Sequence, residues 1–440
     1  MNKKGIFALV LAALMTAGIV AGCGSDKGTD GSSTAGNSTK GVTVTTIMSQ
    51  AWLSDSEKEL AEKFKEETGI TMDLQVIPQD QYTNILMTRL NSNECTDMYG
   101  LMSSKFDYKT QINAPENAVD LSDMDFASRL DPLAKEHMSV DGKLYGFTLA
   151  DINTTWCMVY NKDLFKKYNL EIPITFDEFL NVCETLKSNG VTPLYEAVSD
   201  GWHHVLYFPE VGPQIEKNNP GFAEKLNNNE ATFAENADCL KALEQVKELA
   251  DKGYFDENYM TNTVDSGKEA MINDECAMFI QNQAFISQMA TEYPDADTSK
   301  FGYFDIPILD NHVLNVNPSC NSRLIYSKSP NIDAAKKYID FITSQENLQY
   351  LIDNESGVLN LPYEGLTSEY PEDAQEYFDS HEESGIVYQT DVIYLNPQWN
   401  DIGADISAMW IGQLEPIDVL KNIDKRRAEQ AASAEDEHWK

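Results

Sequence analysis

Residues 42–77 read VTVTTIMSQAWLSDSEKELAEKFKEETGITMDLQVI, and the pattern predicts two strands separated by one helix. The runs at 42–48 and 71–77 are rich in β-branched residues, which is typical of buried strands. Between them, Ser54 stands before a run of helix-forming residues and offers an N-cap to a helix over about 55–68. We therefore expect a β-α-β unit at the start of the globular part.

The pattern continues with a second helix over about 82–90 and a third strand over about 96–102. This β-α-β-α-β order predicts a doubly wound α/β lobe. Ligands of such sheets bind beyond the carboxyl ends of the strands. The polar and aromatic residues that follow the first and third strands are therefore candidate ligand contacts: Ser49, Trp52, Asp55, Ser103 and Asp107.

Strands and helices also alternate in the rest of the chain. A strand is predicted over about 155–160, and Thr175 with Glu178 three residues later predicts a capping box at the start of a further helix. An amphipathic helix pair is predicted over about 404–424, and residues 425–440 are expected to form a frayed polar tail. The whole globular part is thus expected to belong to the α/β class.

The chain has 440 residues, with 33 Lys and Arg against 71 Asp and Glu, and its formal net charge is −38. Binding to phosphate backbones or to anionic lipid surfaces needs clustered basic residues. The charge therefore argues against a nucleic-acid partner and against membrane adhesion through basic patches. Hydrophobic residues make up 42% of the chain, which is enough for the cores of two or three domains.

The first residues have the features of an export signal. Two lysines precede an apolar run, and VAGC at 20–23 resembles the site at which bacterial lipoproteins are cleaved before a lipid-bearing Cys. We expect a signal peptide over 1–22, lipidation of Cys23, and a Gly- and Ser-rich flexible tether that completes 23–41. The alternative is an ordinary cleaved signal with an incidental Cys.

The other six cysteines are widely and irregularly spaced. No CxxC pair occurs and no His cluster lies beside them in the sequence, so a zinc site has little support and no cofactor is expected. An even number in an exported chain permits disulfides, but a fold of this size can do without them. Buried free thiols are the favoured interpretation for the set: Cys95, Cys157, Cys183, Cys239, Cys276 and Cys320.

Several separated motifs resemble those of one protein family, and the resemblance covers essentially all of residues 42–424. The most specific block is YNKDLF followed by IPITFDEF, within residues 160–179. Weaker motifs occur in the family's order: VAGC at 20–23, FKEETGI at 64–70, DGKLYGFTL at 141–149, AMFI at 277–280 and AAKKYIDFITSQENLQYLI at 334–352. The chain thereby resembles the extracellular solute-binding proteins of bacterial ABC importers, in the family that carries sugars and oligosaccharides.

The resemblance implies a type II periplasmic-binding-protein-like fold, with two α/β lobes, crossing hinge strands and a ligand cleft between the lobes. It implies lobe 1 over 42–157 plus 313–360 and lobe 2 over 158–312 plus 361–424. It further implies a lipid-anchored monomer on the extracellular face of the cell membrane. Such a protein binds a carbohydrate, closes by hinge motion and docks on the transmembrane subunits of an ABC permease, without catalysing a reaction.

A sugar site needs aromatic rings for stacking and amide or acidic side chains for paired hydrogen bonds. The family commonly has Asn-Gly-x-Trp after AMFI, whereas this chain has QNQAF at 281–285 and lacks that Trp. By their places at the expected lobe junction or in polar loops, further residues are predicted to contact the ligand: Asp151, Asn153, Trp202, Asn282, Gln283, Asn317 and Trp399.

Five more residues have competing interpretations. Trp156 fits the cleft and the core equally, Arg323 offers a bidentate clamp for ligand, and Trp410 falls on the core face of a helix. The adjacent His203 and His204 would point apart on a strand and lack a third ligand nearby, so a metal site is not favoured.

Other functions stay open at this point. A non-sugar ligand such as a peptide or polyamine would suit the acidic chain. An exported glycoside hydrolase would need two carboxylates about 5–10 Å apart, and no GxSxG, HExxH or phosphate-binding glycine loop occurs in the sequence. A purely adhesive surface lipoprotein is disfavoured by the two-lobe pattern.

Overall fold

The computed structural model describes residues 41–104, 106–368 and 370–439. The expected signal peptide, Cys23 and the tether up to residue 40 lie outside the described residues. Within the described ranges, no helix is both long and apolar enough to cross a membrane.

The first part of the chain builds most of one sheet and the helices that cover it. Ser54 caps the first helix by accepting a hydrogen bond from the Glu57 amide, and Gly69 ends that helix with a left-handed φ of 74°. The elements in chain order are β1 Thr43–Ser49, α1 Asp55–Thr68, β2 Thr71–Ile77, α2 Gln79–Ser92, β3 Met98–Met102, α3 Asp107–Thr110, α4 Ala114–Asn117, α5 Pro132–His137, β4 Ser139–Val140, β5 Lys143–Leu144 and β6 Gly146–Thr148.

The middle part builds a second sheet. The predicted capping box is confirmed, because Thr175 accepts from the Glu178 amide and the Glu178 carboxylate accepts from the Thr175 amide. The elements are β7 Trp156–Asn161, α6 Lys162–Tyr168, α7 Phe176–Ser188, β8 Thr192–Leu194, α8 Gly212–Asn218, α9 Phe222–Asn227, α10 Ala237–Asp251, α11 Val264–Ile272, β9 Cys276–Asn282, α12 Phe285–Glu292, β10 Phe301–Phe304 and β11 Leu314–Val316.

The last part first returns to the first sheet and then ends against the second. The predicted C-terminal helix pair is present, although both helices extend beyond the predicted range. The elements are β12 Asn321–Ile325, α13 Ile332–Ile342, α14 Gln345–Asn354, α15 Glu372–Asp379, β13 Ser384–Ile386, α16 Tyr388–Asp391, α17 Trp399–Trp410 and α18 Pro416–Ser433.

The first sheet has the strand order β2-β1-β3-β12-β6. β1 pairs in parallel with β2 and β3, whereas β12 runs antiparallel to β3 and β6. The helices α1 and α2 connect the three parallel strands, so the predicted doubly wound lobe is confirmed. Because β1 and β3 are parallel, the residues that follow them meet at the same edge of the sheet.

The second sheet has the order β10-β7-β9-β8, in which β8 and β9 are parallel and the other pairs antiparallel. Each sheet has its own hydrophobic core. Buried residues from 44–152 and 320–363 pack around the first sheet, and those from 157–309 and 374–423 pack around the second. We call these two bodies lobe 1 and lobe 2, and the predicted two-lobe α/β fold is confirmed.

The chain passes between the two sheets three times, at 149–155, 317–320 and 355–371. Two of these segments are tied together by an isolated bridge between Thr154 and Asn317. β11 and β13 pair in parallel beside them. The crossing segments thus meet at one junction, while the lobe boundaries given above remain a prediction.

The chain beyond residue 425 differs from the frayed tail that its composition predicts. α18 continues to Ser433, and Arg427 in its last turns is fully buried. The Arg427 guanidinium donates to the carbonyls of Ile393 (3.1 Å) and Leu226 (2.8 Å). The buried guanidinium of Arg427 therefore holds the end of α18 against lobe 2. The polar composition of this segment alone does not reveal that role.

Candidate functional site

Ser49 and Ser103 lie at the carboxyl edge of the lobe 1 sheet, as the parallel order of β1 and β3 requires. Both side chains are buried. Ser103 accepts a hydrogen bond from the Cys320 amide (3.2 Å), whereas the Ser49 hydroxyl has no hydrogen-bond partner in the described part of the chain. Ser103 therefore fastens a crossing segment to lobe 1.

Trp52 and Asp55 follow the first strand but lie in different surroundings. The half-buried Trp52 ring packs edge-to-face on Tyr82 with ring centres 5.1 Å apart. It also covers Gly100, where a Cβ atom would come within 3.1 Å of the indole. Asp55 is 89% exposed and pairs with Lys58 at 2.6 Å. Trp52 thus packs against lobe 1, and Asp55 lies in solvent on the first turn of α1.

Arg323 forms a bidentate clamp, but its partner is Glu57 of α1. The Arg323 Nε and Nη2 atoms donate to the two carboxylate oxygens at 3.0 and 2.5 Å, and Nη2 also donates to the Trp52 carbonyl (3.0 Å). Both side chains of the pair are at most 3% exposed. The interpretation of Arg323 as a ligand clamp is therefore wrong, because the guanidinium atoms that would form the clamp are engaged in a buried ion pair.

Five polar side chains form one hydrogen-bonded chain across the lobes, which we call the junction chain. It begins in lobe 1 at Asp107, whose carboxylate accepts from Asn396. Gln389 donates to the Asn396 carbonyl oxygen (2.9 Å), and Asn317 donates to Gln389. Asn317 also donates to Glu210 of lobe 2 (3.4 Å). The structure thus connects the predicted residues Asp107 and Asn317 through two amides.

Burial dominates the electrostatics of the junction chain. It raises the pKa of Asp107 from 3.8 to about 6, against the lowering effect of hydrogen bonds with Asn396 and Ser104. It also raises the pKa of Glu210 well above 4.5, against the hydrogen bond from Asn317. Glu210 Oε2 has no partner among the described residues. Both carboxyl groups therefore hold protons more tightly than acids in water do.

Asp151 is the centre of a second polar cluster, on the crossing segment between β6 and β7. Its carboxylate accepts from Gln283 (3.4 Å) and Asn360 (3.3 Å). It also accepts from the Tyr370 hydroxyl and from the backbone amide of Asn153 (2.9 Å), whose side chain is exposed. Burial raises the pKa of Asp151, and these hydrogen bonds oppose the rise. The predicted residue Asp151 therefore ties two crossing segments together, and its bond to the predicted residue Gln283 links them to the end of β9.

Three tryptophans form what we call the aromatic wall, on lobe 2 beside the junction. Trp156 at the start of β7 meets Trp202 edge-to-face, with ring centres 5.8 Å apart. Trp399 at the start of α17 donates its indole N–H to the Trp202 carbonyl (3.1 Å). Asn282 lies directly opposite Trp156 in the β7–β9 pair. All four residues are partly buried, so the rings keep free surface beside an amide.

His203 and His204 are buried and hold the Trp202 loop to the core of lobe 2. His203 Nε2 is hydrogen-bonded to the Ile280 carbonyl (2.8 Å), and His204 Nε2 to the Gly403 carbonyl (2.7 Å). Burial lowers the pKa of His204 to about 4, more than its hydrogen bond with Gly403 raises it. In the described ranges, no group of three His, Cys, Asp or Glu is arranged to hold a metal ion. These histidines therefore have structural roles.

Other residues named from the sequence lie in the core. Trp410 is 6% exposed and donates to the Val246 carbonyl (3.3 Å), as its helical position predicts. Phe285 is 1% exposed, so it does not replace the stacking Trp that the QNQAF segment lacks. Between Cys95 and Cys320, the six described cysteines form no disulfide, and all except Cys95 are buried.

None of the twelve predicted residues lines either of two cavities on the described surface. One, of about 500 Å³, lies on lobe 2 between Ile174 and Asp305. The other, of about 560 Å³, lies between Gln111 of lobe 1 and Gln430 at the end of α18. The residues of the junction chain are hydrogen-bonded to one another and so connect the two lobes. The candidate ligand site is the junction chain with the aromatic wall, because polar groups from both lobes lie near partly exposed rings.

Sequence reasoning missed several residues of this junction. Glu210 lies in the apolar run VLYFPEVG at 205–212, and a lone acid in such a run is a signal for a buried, bonded carboxyl group. The others carry no local signal, because only the crossing of distant segments brings them to the junction. They are Gln389, Asn360 and Tyr370.

Comparison with known proteins gives consistent matches. A family model described as bacterial extracellular solute-binding protein matches residues 59–363. The melibiose/raffinose/stachyose-binding protein MelE of Bacillus subtilis is 22% identical over 444 residues, covering 97% of this chain and 98% of that protein. The multiple sugar-binding protein of Streptococcus mutans is 20% identical over 276 residues, covering 61% of this chain and 63% of that protein.

Solved structures share the fold along most of the chain. A chitin oligosaccharide binding protein matches with a TM-score of 0.76 and 19% identity, covering 89% of this chain and 99% of that one. A sugar transporter protein from Bacillus licheniformis in complex with stachyose matches with a TM-score of 0.71 and 20% identity, covering 88% and 100%. At these identities the likeness establishes the two-lobe fold.

Proposed function

The chain belongs to the bacterial extracellular solute-binding proteins, and on that premise we propose that it captures a sugar or oligosaccharide between its lobes. It then delivers the ligand, chemically unchanged, to the transmembrane subunits of an ABC permease. Membership in a solute-binding family makes the chain a binding protein rather than an enzyme. The sugar-binding names of its relatives MelE and the Streptococcus mutans protein support the choice of ligand class.

The observation that carries the proposal is the aromatic wall beside the junction chain. Sugars present C–H faces, which stack on aromatic rings, and vicinal hydroxyls, which pair with amides and carboxyls. Trp202 and Trp399 offer rings on lobe 2, while Asp107 brings a carboxyl group from lobe 1. A ligand that touches both lobes stabilises the closed form, which is the state that a permease must distinguish.

We assign the predicted contacts to different tasks within this proposal. We assign stacking on the sugar ring to Trp202 and Trp399, and a contact with a sugar hydroxyl to Asn282. Polar contacts at the junction are assigned to Asp107 and Asn317. The remaining predicted residues orient these groups or line the approach, and each stays a proposal: Ser49, Trp52, Asp55, Ser103, Asp151, Asn153 and Gln283.

The N-terminal sequence supports a location at the cell surface. VAGC at 20–23 supports lipidation of Cys23 after removal of residues 1–22, with residues up to 41 as the tether. The lipid would hold a monomeric protein at the extracellular face of the cell membrane. Mass spectrometry of the N-terminal peptide from the native protein tests this, because an unmodified Cys23 contradicts it.

A ligand panel tests the ligand class. A ligand that binds only the folded state stabilises it by RT ln(1 + [L]/Kd), so a sugar at a thousand times its Kd adds about 4 kcal/mol and raises Tm visibly. Thermal unfolding of the chain without residues 1–41 is measured against mono- and oligosaccharides, peptides, polyamines and metal ions. A shift with one sugar class, and recovery of intact sugar afterwards, is the expected result.

The other outcomes separate the alternatives. A shift only with peptides or polyamines would retain the importer function and reject the carbohydrate. Cleaved sugar would indicate a glycoside hydrolase. Trp202→Ala is expected to abolish the sugar-induced shift and Trp202→Phe to retain part of it, since Phe keeps an aromatic face. Equal loss in both variants would argue against stacking by this ring.

A further inference from the structure

The interlobe cavity of about 560 Å³ has walls from both lobes. Met87 of α2, Thr110 at the end of α3 and the following Gln111 line it on the lobe 1 side. Tyr394 and the last turns of α18, including Gln430, line it on the lobe 2 side. Its shape therefore depends on how the two lobes are positioned relative to each other.

The cavity adjoins the junction chain directly. Thr110 belongs to α3, which begins at Asp107, and Pro397 on the opposite wall follows Asn396. The hydrogen bond between Asn396 and Asp107 thus lies at the border of the cavity. Asp401, which also lines the cavity, lies in the first turn of α17, the helix that begins at Trp399 of the aromatic wall. A ligand that lies on the aromatic wall and extends past the Asp107–Asn396 contact enters this space.

The lining suits a neutral polyhydroxylated chain. Gln111, Gln430 and Thr110 supply amides and a hydroxyl, while Met87 and Pro397 supply apolar surface. Such mixed polar and apolar lining matches the hydroxyl edges and C–H faces of sugar rings.

The charges of the lining disfavour anionic ligands. Asp401 and Glu429 are exposed carboxylates on the walls. Arg426 is already engaged by Asp405 (2.7 Å) and by Gln398 (2.7 Å). The cavity therefore offers no uncommitted arginine to a phosphate or a uronate among its lining residues, and a neutral sugar is the ligand class that it fits.

The lobe 2 wall is built rigidly. Tyr394 has a left-handed backbone (φ 63°), which is unfavourable for a residue other than glycine. The strain is held in place because the Tyr394 carbonyl accepts from Gln398 (2.7 Å) and its hydroxyl donates to Asp436 (2.9 Å). Arg427 anchors the neighbouring Ile393 carbonyl (3.1 Å). A preorganised wall loses little entropy when a ligand binds.

We propose that this cavity is a subsite for the distal end of a neutral oligosaccharide whose first unit stacks on the aromatic wall. This rests on the proposed function and names the length of the ligand: a disaccharide stays within the junction, and longer chains reach the cavity. The last turns of α18 are thereby part of the ligand site.

Isothermal titration calorimetry on the full-length protein tests the subsite with oligosaccharide series of increasing length, such as melibiose, raffinose and stachyose, and chitin oligosaccharides. The wild type is expected to bind the longer members of one series more tightly. Gln111→Ala and Gln430→Ala each remove one polar contact and are expected to weaken binding of the longest member about five-fold, with binding of the disaccharide unchanged. Gln413→Ala, at an exposed position outside the lining, is the matched control.

A second variant keeps the test decisive if single contacts prove weak. Ser433→Trp, at an exposed lining position, fills the cavity without removing an amide and is expected to exclude longer members while the disaccharide still binds. Equal wild-type affinity for all lengths, or variants that affect all lengths alike, would overturn the subsite and leave the sugar-binding function intact. No binding of any sugar by the wild type would overturn both.

Discussion

Asp107 offers a sharp test of the electrostatics at the junction. Burial raises its pKa from 3.8 to about 6, so the folded protein holds this proton more tightly than the unfolded chain. The contribution of Asp107 to stability is therefore full below about pH 4 and is lost as the pH rises through about 6. A shift of roughly 2 pH units corresponds to about 3 kcal/mol in the free energy of unfolding.

Asp107→Asn removes this titration while leaving an acceptor oxygen for the amide of Asn396. We expect the free energy of unfolding of the variant, relative to wild type, to increase by about 3 kcal/mol between pH 4 and pH 7. Urea unfolding of both proteins without ligand, followed by tryptophan fluorescence at closely spaced pH values, measures this difference.

Asp55→Asn is the control, because Asp55 is an exposed carboxylate with a surface partner. Its difference from wild type is expected to stay nearly flat over the same pH range. A flat difference for Asp107→Asn as well would refute the reasoning, since it would mean that the folded state does not retain the proton of Asp107 above pH 4.

Three further predictions concern packing and charge. Burial lowers the pKa of His204 to about 4, so the unfolded chain takes up a proton there before the folded protein does, and the free energy of unfolding falls as the pH drops from about 6.5 to 4. In His204→Gln this acid-dependent decrease of about 3 kcal/mol should be absent, which urea unfolding at each pH measures. Arg323→Met leaves Glu57 buried and unpaired and should cost about 3–5 kcal/mol, whereas the double variant with Glu57→Leu should recover most of it; similar losses in the single and the double variant would contradict this. Gly403→Ala would place a Cβ atom 2.0 Å from the Gly201 carbonyl oxygen and should lower both Tm and sugar affinity; wild-type values would show that the Gly201 loop moves freely.

Local signals along the sequence predict the elements well. The capping box at Thr175 and the N-cap at Ser54 are both present in the structure, because each involves residues three apart in the chain. The parallel order of β1 and β3 places Ser49 and Ser103 at one edge of the sheet, as the strand pattern predicts. These features depend on neighbours in sequence and on general rules of sheet topology.

Long-range partners were beyond such reasoning. Arg323 has the chemistry of a ligand clamp, but its partner Glu57 lies 266 residues away. Arg427 belongs to a polar tail by composition, but the fold brings the carbonyls of Leu226 and Ile393 beside it. A charged side chain can be available to a ligand or be paired within the protein. Which of the two holds depends on the residues, distant in sequence, that pack against the side chain and bury it.

By itself, the sequence predicted the α/β class through its periodicity, and its local motifs indicated the family to which the chain belongs and, through that resemblance, the two lobes. The export signal at 1–22 stays a prediction from the sequence. Only the tertiary structure decided how Asp107 and Glu210 are joined through amides, and where a cavity lies between the lobes. The physical reason is that three crossings of the chain bring together side chains from segments far apart in sequence. Hydrogen bonds and pKa values depend on those neighbours in space, which no local pattern specifies.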